Sequence, residues 1–379
     1  MMETTRFIEP LDVLFLRGNK LFGDAGSYGE SMIPPRPSVA AGALRSAILA
    51  RDGVDIAAFA TGEERARHPA LGTPANPGPF RVLDFQLAWH GAKGDGKAEC
   101  LYPLPADLVA VHDDSGHLRL DQISPRTLPP GLHSSKATTL LPVLAQAERA
   151  KPQSGYWLTQ SGMQAWLRGG LPKIEKHLLE SRHLWAGDER VGIALDPEAR
   201  RAGDGKLFSM QGAAFRKGVG FAVRFAEETL TDGTLLRFGG DGRGAVLRQW
   251  TGRPLSVETD RIATDRRCRI ILTSPGLFPA GWRLPGVAED GRFELQGVRG
   301  RVVCAAVPRA EVVSGWDLAQ WAPKPAQRAA PAGSVYWIDE LEATSEALGK
   351  LADHGLWPET GYDSQRRVEG FNRFTFASY

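Results

Sequence analysis

Short segments rich in β-branched and aromatic residues recur along the whole chain, and only a few segments with helical spacing lie between them. The strand signals include Arg81–Trp89, Gly220–Phe225 and Arg301–Val307. Because strands and helices do not alternate regularly, the pattern disfavours a doubly wound parallel sheet. It predicts an α+β fold that is rich in strands and contains a few helices.

The N-terminal segment predicts one extended strand that a proline interrupts. Thr5–Glu9 and Leu11–Leu16 are rich in Phe, Ile, Val and Leu. Pro10 lies between them and lacks the N–H group that a central strand donates to its neighbour. We therefore expect the strand to continue after a break at this residue.

A rigid proline-rich stretch then leads into a predicted helix, Val39 to about Arg51. Ser38 is its expected N-cap, and Gly42 is expected to let the helix approach the sheet closely. Leu44 and Ile48 are four residues apart and should share the buried face. A capped helix N-terminus beside arginines suits a phosphate group, although plain capping explains the same residues.

The length and composition bound the class of protein. A chain of 379 residues exceeds what one hydrophobic core usually supports, so two domains are expected. The three cysteines are far apart, which favours a reducing compartment over a disulfide framework. Since the chain also lacks an apolar run of membrane-spanning length and a signal-peptide pattern, we expect a cytoplasmic protein with no membrane partner.

The charge balance restricts any nucleic-acid site to a local patch. Forty-six basic and 44 acidic residues give a net charge of +2, which argues against a polybasic coat that binds any nucleic acid. Local surpluses do occur, because Ser31–Arg51 contains three arginines and no acid, and Arg261–Arg269 contains four arginines. Each stretch also fits an ordinary solvated surface.

No arrangement of residues indicates catalysis, a metal or a cofactor. The cysteines and the eight histidines form no close-spaced ligand pair, so neither a metal site nor a cofactor is expected. Acid pairs such as Asp12 and Asp24, or Asp188 and Glu189, lie in glycine-rich or hairpin-flanking regions, where carboxylates commonly cap turns. The first histidine is His68, so no imidazole lies near the first helix to activate a ribose hydroxyl. We therefore expect a protein that is not an enzyme.

Gly239–Gly244 is a glycine-rich loop whose backbone N–H groups could converge on an anion. The Lys-Ser/Thr ending of a nucleoside triphosphate loop is absent, so a nucleotide site is disfavoured. A tight turn and a contact to an RNA backbone both remain open for this loop.

Several segments together resemble one known family. Pro10–Gly18 followed by Ile33–Arg45 resembles the opening of the RAMP (repeat-associated mysterious protein) superfamily and, more narrowly, the third subunit of the type III-B Cmr CRISPR effector module. Further segments follow in the order and approximate spacing of that family: Arg190–Asp196, Gly205–Phe208, Gly239–Arg243 and Val335–Trp337. One departure is Asn372, which stands where these subunits usually have the second glycine of a Gly-aromatic-Gly loop.

The resemblance implies two ferredoxin-like (RRM-like) domains with a β-hairpin thumb and irregular or helical insertions. The first would span residues 1–230 and include a helical insertion and the thumb, at about residues 183–212. The second would span residues 231–379.

The resemblance also implies a non-catalytic RNA-binding subunit in antiviral defence. Such a subunit holds the 5′ handle of the CRISPR RNA, docks the large polymerase-like subunit and a neighbouring RAMP backbone subunit, and meets target RNA only indirectly. A RAMP endoribonuclease that matures CRISPR RNA and a scaffold that contacts only proteins are the alternatives.

Carried over to this sequence, the resemblance implies RNA contacts in three regions, namely the first helix, the thumb and the glycine loop. The residues are Arg36, Ser38, Arg45, His183, Arg190, Arg200, Arg201, Gly239, Gly240 and Arg243.

Overall fold

The protein is described from a computed structural model that covers residues 2–18, 28–29, 31–90, 98–131, 140–145, 151–195, 201–317 and 320–379. These residues form two compact units. The first unit consists of Met1–Ala98, Arg182–Thr251 and Ser314–Pro325, and the second consists of Glu99–Ser181, Gly252–Val313 and Ala326–Tyr379. The predicted domain boundary at residue 230 stays a prediction, because compactness alone does not define a domain.

The strands follow one another in chain order. They are β1 (Glu3–Pro10), β2 (Tyr28–Gly29), β3 (Arg81–His90), β4 (Ala98–Pro103), β5 (Leu108–His112), β6 (Leu118–Thr127), β7 (Leu140–Leu144), β8 (Tyr156–Thr159), β9 (Leu178–Glu180), β10 (Trp185–Leu195), β11 (Ala202–Phe215), β12 (Val219–Ala226), β13 (Leu235–Arg237), β14 (Gly244–Gln249), β15 (Cys268–Leu272), β16 (Arg292–Leu295), β17 (Val298–Ala306), β18 (Glu311–Val313), β19 (Trp316–Asp317), β20 (Ala322–Pro323), β21 (Gln327–Ala329), β22 (Val335–Glu342) and β23 (Phe374–Ala377).

The α-helices are fewer and mostly short. They are α1 (Pro37–Arg51), α2 (Ile56–Ala60), α3 (Gln160–Leu167), α4 (Ile174–His177), α5 (Thr259–Asp265), α6 (Ser345–His354) and α7 (Ser364–Val368). The predicted α+β class is confirmed by this mixture of many strands and few helices. Across the described residues, none of the helices has the length and apolar character needed to cross a membrane.

The sheet of the first unit is built around β1. Strand β1 pairs antiparallel with β12 on one side and with β14 on the other, and the local order is β13-β14-β1-β12-β3. Strands β1 and β3 run in the same direction, are joined through α1, and are separated by β12, which is a split β-α-β arrangement.

The principal sheet of the second unit contains the same kind of split β-α-β arrangement. Its order is β16-β17-β22-β15-β23, and β22 and β23 are joined through α6 with β15 between them. A ferredoxin-like domain contains two interlocked split β-α-β motifs. Among the described residues, each sheet contains one such motif with its helix. The assignment of two ferredoxin-like domains therefore stays a prediction.

The chain leaves the first sheet at Pro10, and the expected continuation as a strand is wrong. Within Leu11–Leu16, Leu14 makes only an isolated antiparallel bridge, and its partner is Ala213 in β11. The Asp12 side chain accepts the N–H of Val13 at 2.7 Å, which bends the chain immediately after β1. The segment consequently runs from the sheet towards the β10–β11 hairpin.

Helix α1 begins earlier than the sequence predicts. Pro37 is its first residue and Arg36 its N-cap, without a side-chain capping bond, so Ser38 is not the N-cap. Proline suits the first helical position because the N–H that it lacks would have no partner in the helix. Leu44 and Ile48 are fully buried, as predicted.

The close approach expected at Gly42 is wrong. This residue is exposed, and a Cβ atom built on it would meet nothing within 4 Å. The buried face of α1 packs against β3 and β13 through larger side chains. Gly42 therefore weakens the helix without serving its packing.

Substitution Gly42→Ala should raise the free energy of unfolding by about 0.5–1 kcal/mol, because alanine loses less backbone entropy in a helix than glycine. Gly53, immediately after the C-cap of the same helix, is a matched control because its site is equally open but its φ is +65°. Gly53→Ala should lower stability by roughly 1–2 kcal/mol. Urea unfolding measures both free energies. If both substitutions changed the free energy of unfolding by the same amount in the same direction, the proposed effects of helix entropy and of positive φ would be wrong.

A buried ion pair organises the second unit. Asp107 and Arg269 are 0% and 1% exposed, and their Oδ2 and Nη1 atoms are 2.6 Å apart. Trp166 donates its indole N–H to the other oxygen of Asp107 at 3.0 Å, and its ring centroid lies 4.5 Å from the guanidinium carbon. Arg269 also donates to the carbonyls of Trp166 and Ser378, so it joins β15, α3 and the C-terminal segment.

Substitution Asp107→Ala should destabilise the protein by about 3–5 kcal/mol, because it leaves the Arg269 charge buried without its carboxylate. Asp290→Ala is the control, since the Asp290–Arg292 pair is 48% and 73% exposed, and such pairs contribute about 0–1 kcal/mol. Guanidinium unfolding followed by tryptophan fluorescence separates the two expectations. Similar small losses would show that the buried pair is not structurally important.

Asn372 and the three cysteines complete the interior of the second unit. Asn372 is fully buried with a φ of +59°, and its side chain accepts the N–H of Leu277 and donates to the carbonyls of Leu277 and Leu356. All three cysteines are free and buried: Cys100, Cys268 and Cys304. Burial raises the pKa of the Cys268 thiol and raises that of Cys304 to about 12.

Candidate nucleic-acid interface

The segment that follows β1 lies at the centre of the candidate site. Leu11 donates its N–H to the carbonyl of Gly244 at 3.1 Å, which fixes the start of the segment against the glycine loop. Leu14 exchanges two backbone hydrogen bonds with Ala213 of β11, at 3.0 and 2.8 Å. These contacts place Phe15 between the loop and the hairpin.

Two guanidinium groups lie against the ring of Phe15. The Cζ atom of Arg243 is 4.7 Å from the ring centroid, and that of Arg190 is 5.5 Å from it. The ring is almost fully buried. Cation–π contacts of this kind orient arginine side chains and keep their hydrogen-bonding edges available to other groups.

Both arginines at this ring also lie beside an aspartate. The pairs are Arg243–Asp12 at 2.8 Å and Arg190–Asp188 at 2.7 Å. A third pair, Arg17–Asp241 at 3.8 Å, joins the segment after β1 to the glycine loop. The backbone N–H of Val13 and the charge of Arg243 hold the pKa of the Asp12 carboxyl below its usual value. The hydrogen bond that Arg190 donates to Asp188 raises the pKa of Arg190. Each of these arginines thus has an acidic side chain beside it.

The glycine loop is shaped by its contact with the carbonyl of Phe15. Gly239 has a φ of +84°, and a Cβ atom built on it would lie 2.8 Å from that carbonyl oxygen. Gly240 donates its N–H to the same oxygen at 2.7 Å. This close approach accounts for both glycines without a ligand, so their predicted RNA contact stays a prediction.

The predicted thumb is a long antiparallel hairpin of β10 and β11, in which Arg190 pairs with Met210. His183 is exposed and lies two residues before β10, while Arg201 is exposed immediately before β11. Arg200 lies outside the described residues. Val191 and Ile193, on one side of β10, are 69% and 46% exposed. The hairpin thus presents apolar as well as charged groups to solvent.

The remaining predicted residues lie on α1. Arg36 is the N-cap, Ser38 is in the first turn, and Arg45 is two turns further along the helix. All three are partly exposed. The residues that the structure brings together around Phe15 are therefore Arg190 of the thumb and Gly239, Gly240 and Arg243 of the glycine loop.

Another charged cluster is explained without a ligand. The side chains of Asp52, His68 and Glu228 offer ligand atoms within 4.8 Å of one another. Arg51 already bonds to both carboxylates, at 2.6 and 3.1 Å. His68 accepts two backbone N–H groups at Nδ1, so its proton resides on Nε2, which donates to Asp52 at 2.9 Å. Both histidine nitrogens are thus engaged, and the cluster fits a structural network.

The chain matches the sequence model of a known protein family. A sequence model described as CRISPR-associated protein (Cas_Cmr3) matches residues 6–372, which is nearly the whole chain. The chain belongs to the Cas_Cmr3 family. The predicted relation to the CRISPR Cmr proteins is confirmed, while the RAMP superfamily and the position of third subunit stay predictions.

The fold of this Cas_Cmr3 chain is similar to that of a chain in a solved structure. One match is to a chain in the cryo-EM structure of the type III-B Cmr-β complex bound to cognate target RNA and AMPPnP, with a TM-score of 0.51 and 15% identity, covering 98% of this chain and 96% of that one. Another, to the same complex bound to cognate target RNA, has a TM-score of 0.49 and 16% identity, with the same coverage. Comparison with curated proteins returns no match.

Sequence reasoning missed three residues of this Cas_Cmr3 site. Asp12 and Asp188 are noticed in the sequence only as turn-forming acids, and Phe15 only as a strand residue. Asp12 and Phe15 contact arginines that lie more than 170 positions away, and Asp188 matters because its neighbour Arg190 contacts Phe15. Asp12 and Phe15 both lie in Pro10–Gly18, the first segment of the family resemblance, and this is the one local signal that could have found them.

Substitution Gly239→Ala should disturb the loop, because the added methyl group meets the carbonyl of Phe15 and the positive φ disfavours alanine. We expect a loss of stability of about 2–3 kcal/mol, as for other strained and overpacked positions. Gly242→Ala is the control, since its φ is also positive but a Cβ atom there meets nothing within 4 Å. Thermal unfolding compares them, and equal losses would mean that the contact with Phe15 is unimportant.

Proposed function

We propose that the chain is a non-catalytic, RNA-binding subunit of a type III-B CRISPR effector complex in antiviral defence. In this role it holds the 5′ handle of the CRISPR RNA, docks the large polymerase-like subunit and adjoins a RAMP backbone subunit. Membership of the Cas_Cmr3 family supports the complex. The observation that carries the RNA-binding role is the placement of Arg190 and Arg243 against one aromatic ring.

The chemistry of that placement suits a phosphate backbone. A guanidinium group donates from a planar fork that matches two phosphate oxygens, and stacking on an aromatic ring fixes the plane of the fork. Arg190 lies on the thumb and Arg243 on the glycine loop, so two separate elements can contact one strand of RNA.

The thumb adds groups that suit unstacked bases. Val191 and Ile193 are exposed on β10, close in sequence to Arg190. Single-stranded RNA is commonly bound by contacts from apolar or aromatic groups to splayed bases together with cationic contacts to phosphates. A thumb with both kinds of group therefore supports the binding of a single-stranded handle.

Docking to protein subunits is supported by a second region. Trp316 is the first residue of β19 and Trp321 immediately precedes β20. They are 49% and 75% exposed and pack edge to face, with their ring centroids 5.8 Å apart. Tryptophan is enriched among the residues that contribute most to protein–protein binding. This feature also fits the scaffold alternative, in which the chain contacts only proteins.

The proposal is tested by binding of a labelled RNA that carries the repeat-derived 5′ handle. The double variant Arg190→Gln/Arg243→Gln should bind at least about tenfold more weakly, because one hydrogen bond to a charged group contributes about 1.5–3 kcal/mol. Arg224→Gln is the matched control, since Arg224 forms a comparable ion pair with Glu3 at the other end of β1. Fluorescence anisotropy measures the affinity.

Three other outcomes would contradict the proposal in different ways. Unchanged binding by the double variant, together with loss of binding in Arg36→Glu/Arg45→Glu, would place the RNA site on α1. If the wild-type chain bound no RNA, either alone or with its large-subunit partner, the scaffold role would be favoured. Cleavage of the RNA by the isolated chain, abolished by His183→Ala, would favour the endoribonuclease.

A further inference from the structure

The two arginines at the Phe15 ring already have carboxylate partners, and a site that bound only phosphate would not need these carboxylates. Asp12 balances the charge of Arg243, and Asp188 balances that of Arg190. A phosphate group that binds the Nη1 donor of Arg243 must therefore take the place of the Asp12 carboxylate.

We propose that Asp12 is a selectivity-determining residue that competes with RNA phosphate for Arg243. This inference rests on the proposed RNA-binding function. It adds a means by which the same site rejects polyanions that bind through their phosphates alone. A polyanion that offers phosphates alone gains little by exchanging one anion for another at Arg243. An RNA that makes further contacts, for example through its bases, displaces Asp12 and binds.

The geometry identifies Asp12 as the fixed member of the pair. Its Oδ1 atom accepts the backbone N–H of Val13 at 2.7 Å, while its Oδ2 atom accepts from Nη1 of Arg243. The carboxylate is thus anchored by its own main chain whether or not Arg243 is present. A competing anion must consequently take over the Nη1 donor of Arg243 from a carboxylate that its own main chain holds close by.

The contact with Asp12 is the part of Arg243 that is open to competition. The Nε atom of Arg243 is enclosed and cannot meet a phosphate, whereas Nη1 donates to the exposed Asp12 carboxylate. Asp12 is 58% exposed and Arg243 25% exposed, so the pair is open to solvent on the carboxylate side. Exposed pairs of this kind are weak, and their exchange for phosphate alters affinity by up to about fivefold.

The competition has a signature in the salt dependence of binding. When phosphate displaces Asp12, the freed carboxylate attracts cations from solution, which offsets part of the cation release from the phosphate. Asp12→Asn removes this offset and should steepen the plot of log Kd against log salt, by at most about 0.7 for a single strand. A residue that merely positions Arg243 would not produce this change.

The test uses the full chain, poly(U) as a polyanion without specific sequence, and the 5′-handle RNA, at several salt concentrations. Asp12→Asn should bind poly(U) up to about fivefold more tightly at low salt and show the steeper slope. Asp188→Asn should act in the same direction through Arg190. Glu3→Gln is the control, because it removes an equally paired carboxylate at the opposite end of β1 and should leave both quantities unchanged.

Two results would overturn the inference. Weaker binding of both RNAs by Asp12→Asn, similar to that of Arg243→Gln, would show that Asp12 positions the arginine. Unchanged affinity and slope would show that Arg243 does not meet phosphate. Failure of the handle-binding role is distinguishable, because then wild type would not prefer handle RNA over poly(U), yet Asp12→Asn would still gain affinity for poly(U).

Discussion

Strand β1 is hydrogen-bonded along both of its edges, and the position of the candidate site depends on this constraint. Because β12 and β14 already occupy the two edges, the chain can leave the sheet only beyond the last pairing, at Pro10. The following segment is then bonded to the glycine loop at Leu11 and to the thumb at Leu14. One short stretch of backbone thereby connects the sheet, the loop and the hairpin, and it places the ring of Phe15 where arginines from two distant parts of the sequence meet.

The sequence predicts the elements of the fold better than their relations. The strand-rich α+β class, the first helix with its buried Leu44 and Ile48, and a long hairpin after residue 183 are all visible as local patterns. Arg190 and Arg243 are visible as candidates through the resemblance to a family. The sequence does not show that these two arginines meet at Phe15. Hydrophobic periodicity predicts strands and helices, but it does not indicate which loop of a strand-rich fold lies beside which hairpin. Asp12 is missed for the same reason, because its arginine partner lies 231 positions away. Asp188 is missed because its neighbour Arg190 gains its importance only through Phe15.

Glycine, asparagine and serine show why single residues mislead. By its type Gly42 suggests close helix packing, and yet it faces solvent. At position 239 glycine is needed for a steric reason, because a Cβ atom there would meet the carbonyl of Phe15. Ser38 is a good N-cap by type, but the proline before it shifts the start of the helix. Asn372 replaces an expected glycine, keeps the positive φ, and uses its amide to join three backbone groups that glycine could not reach. In each case a backbone requirement elsewhere in the chain decides the role of the residue.

The burial of all three cysteines has a practical consequence for following the thumb in solution. A thiol that is enclosed in a packed core, with its pKa raised by desolvation, reacts very slowly with maleimides and other alkylating probes. The cysteines of the natural chain therefore react very little with such reagents while the protein is folded. A cysteine introduced at an exposed thumb position such as Val191 would accept a fluorophore or spin label selectively, without prior removal of the native cysteines.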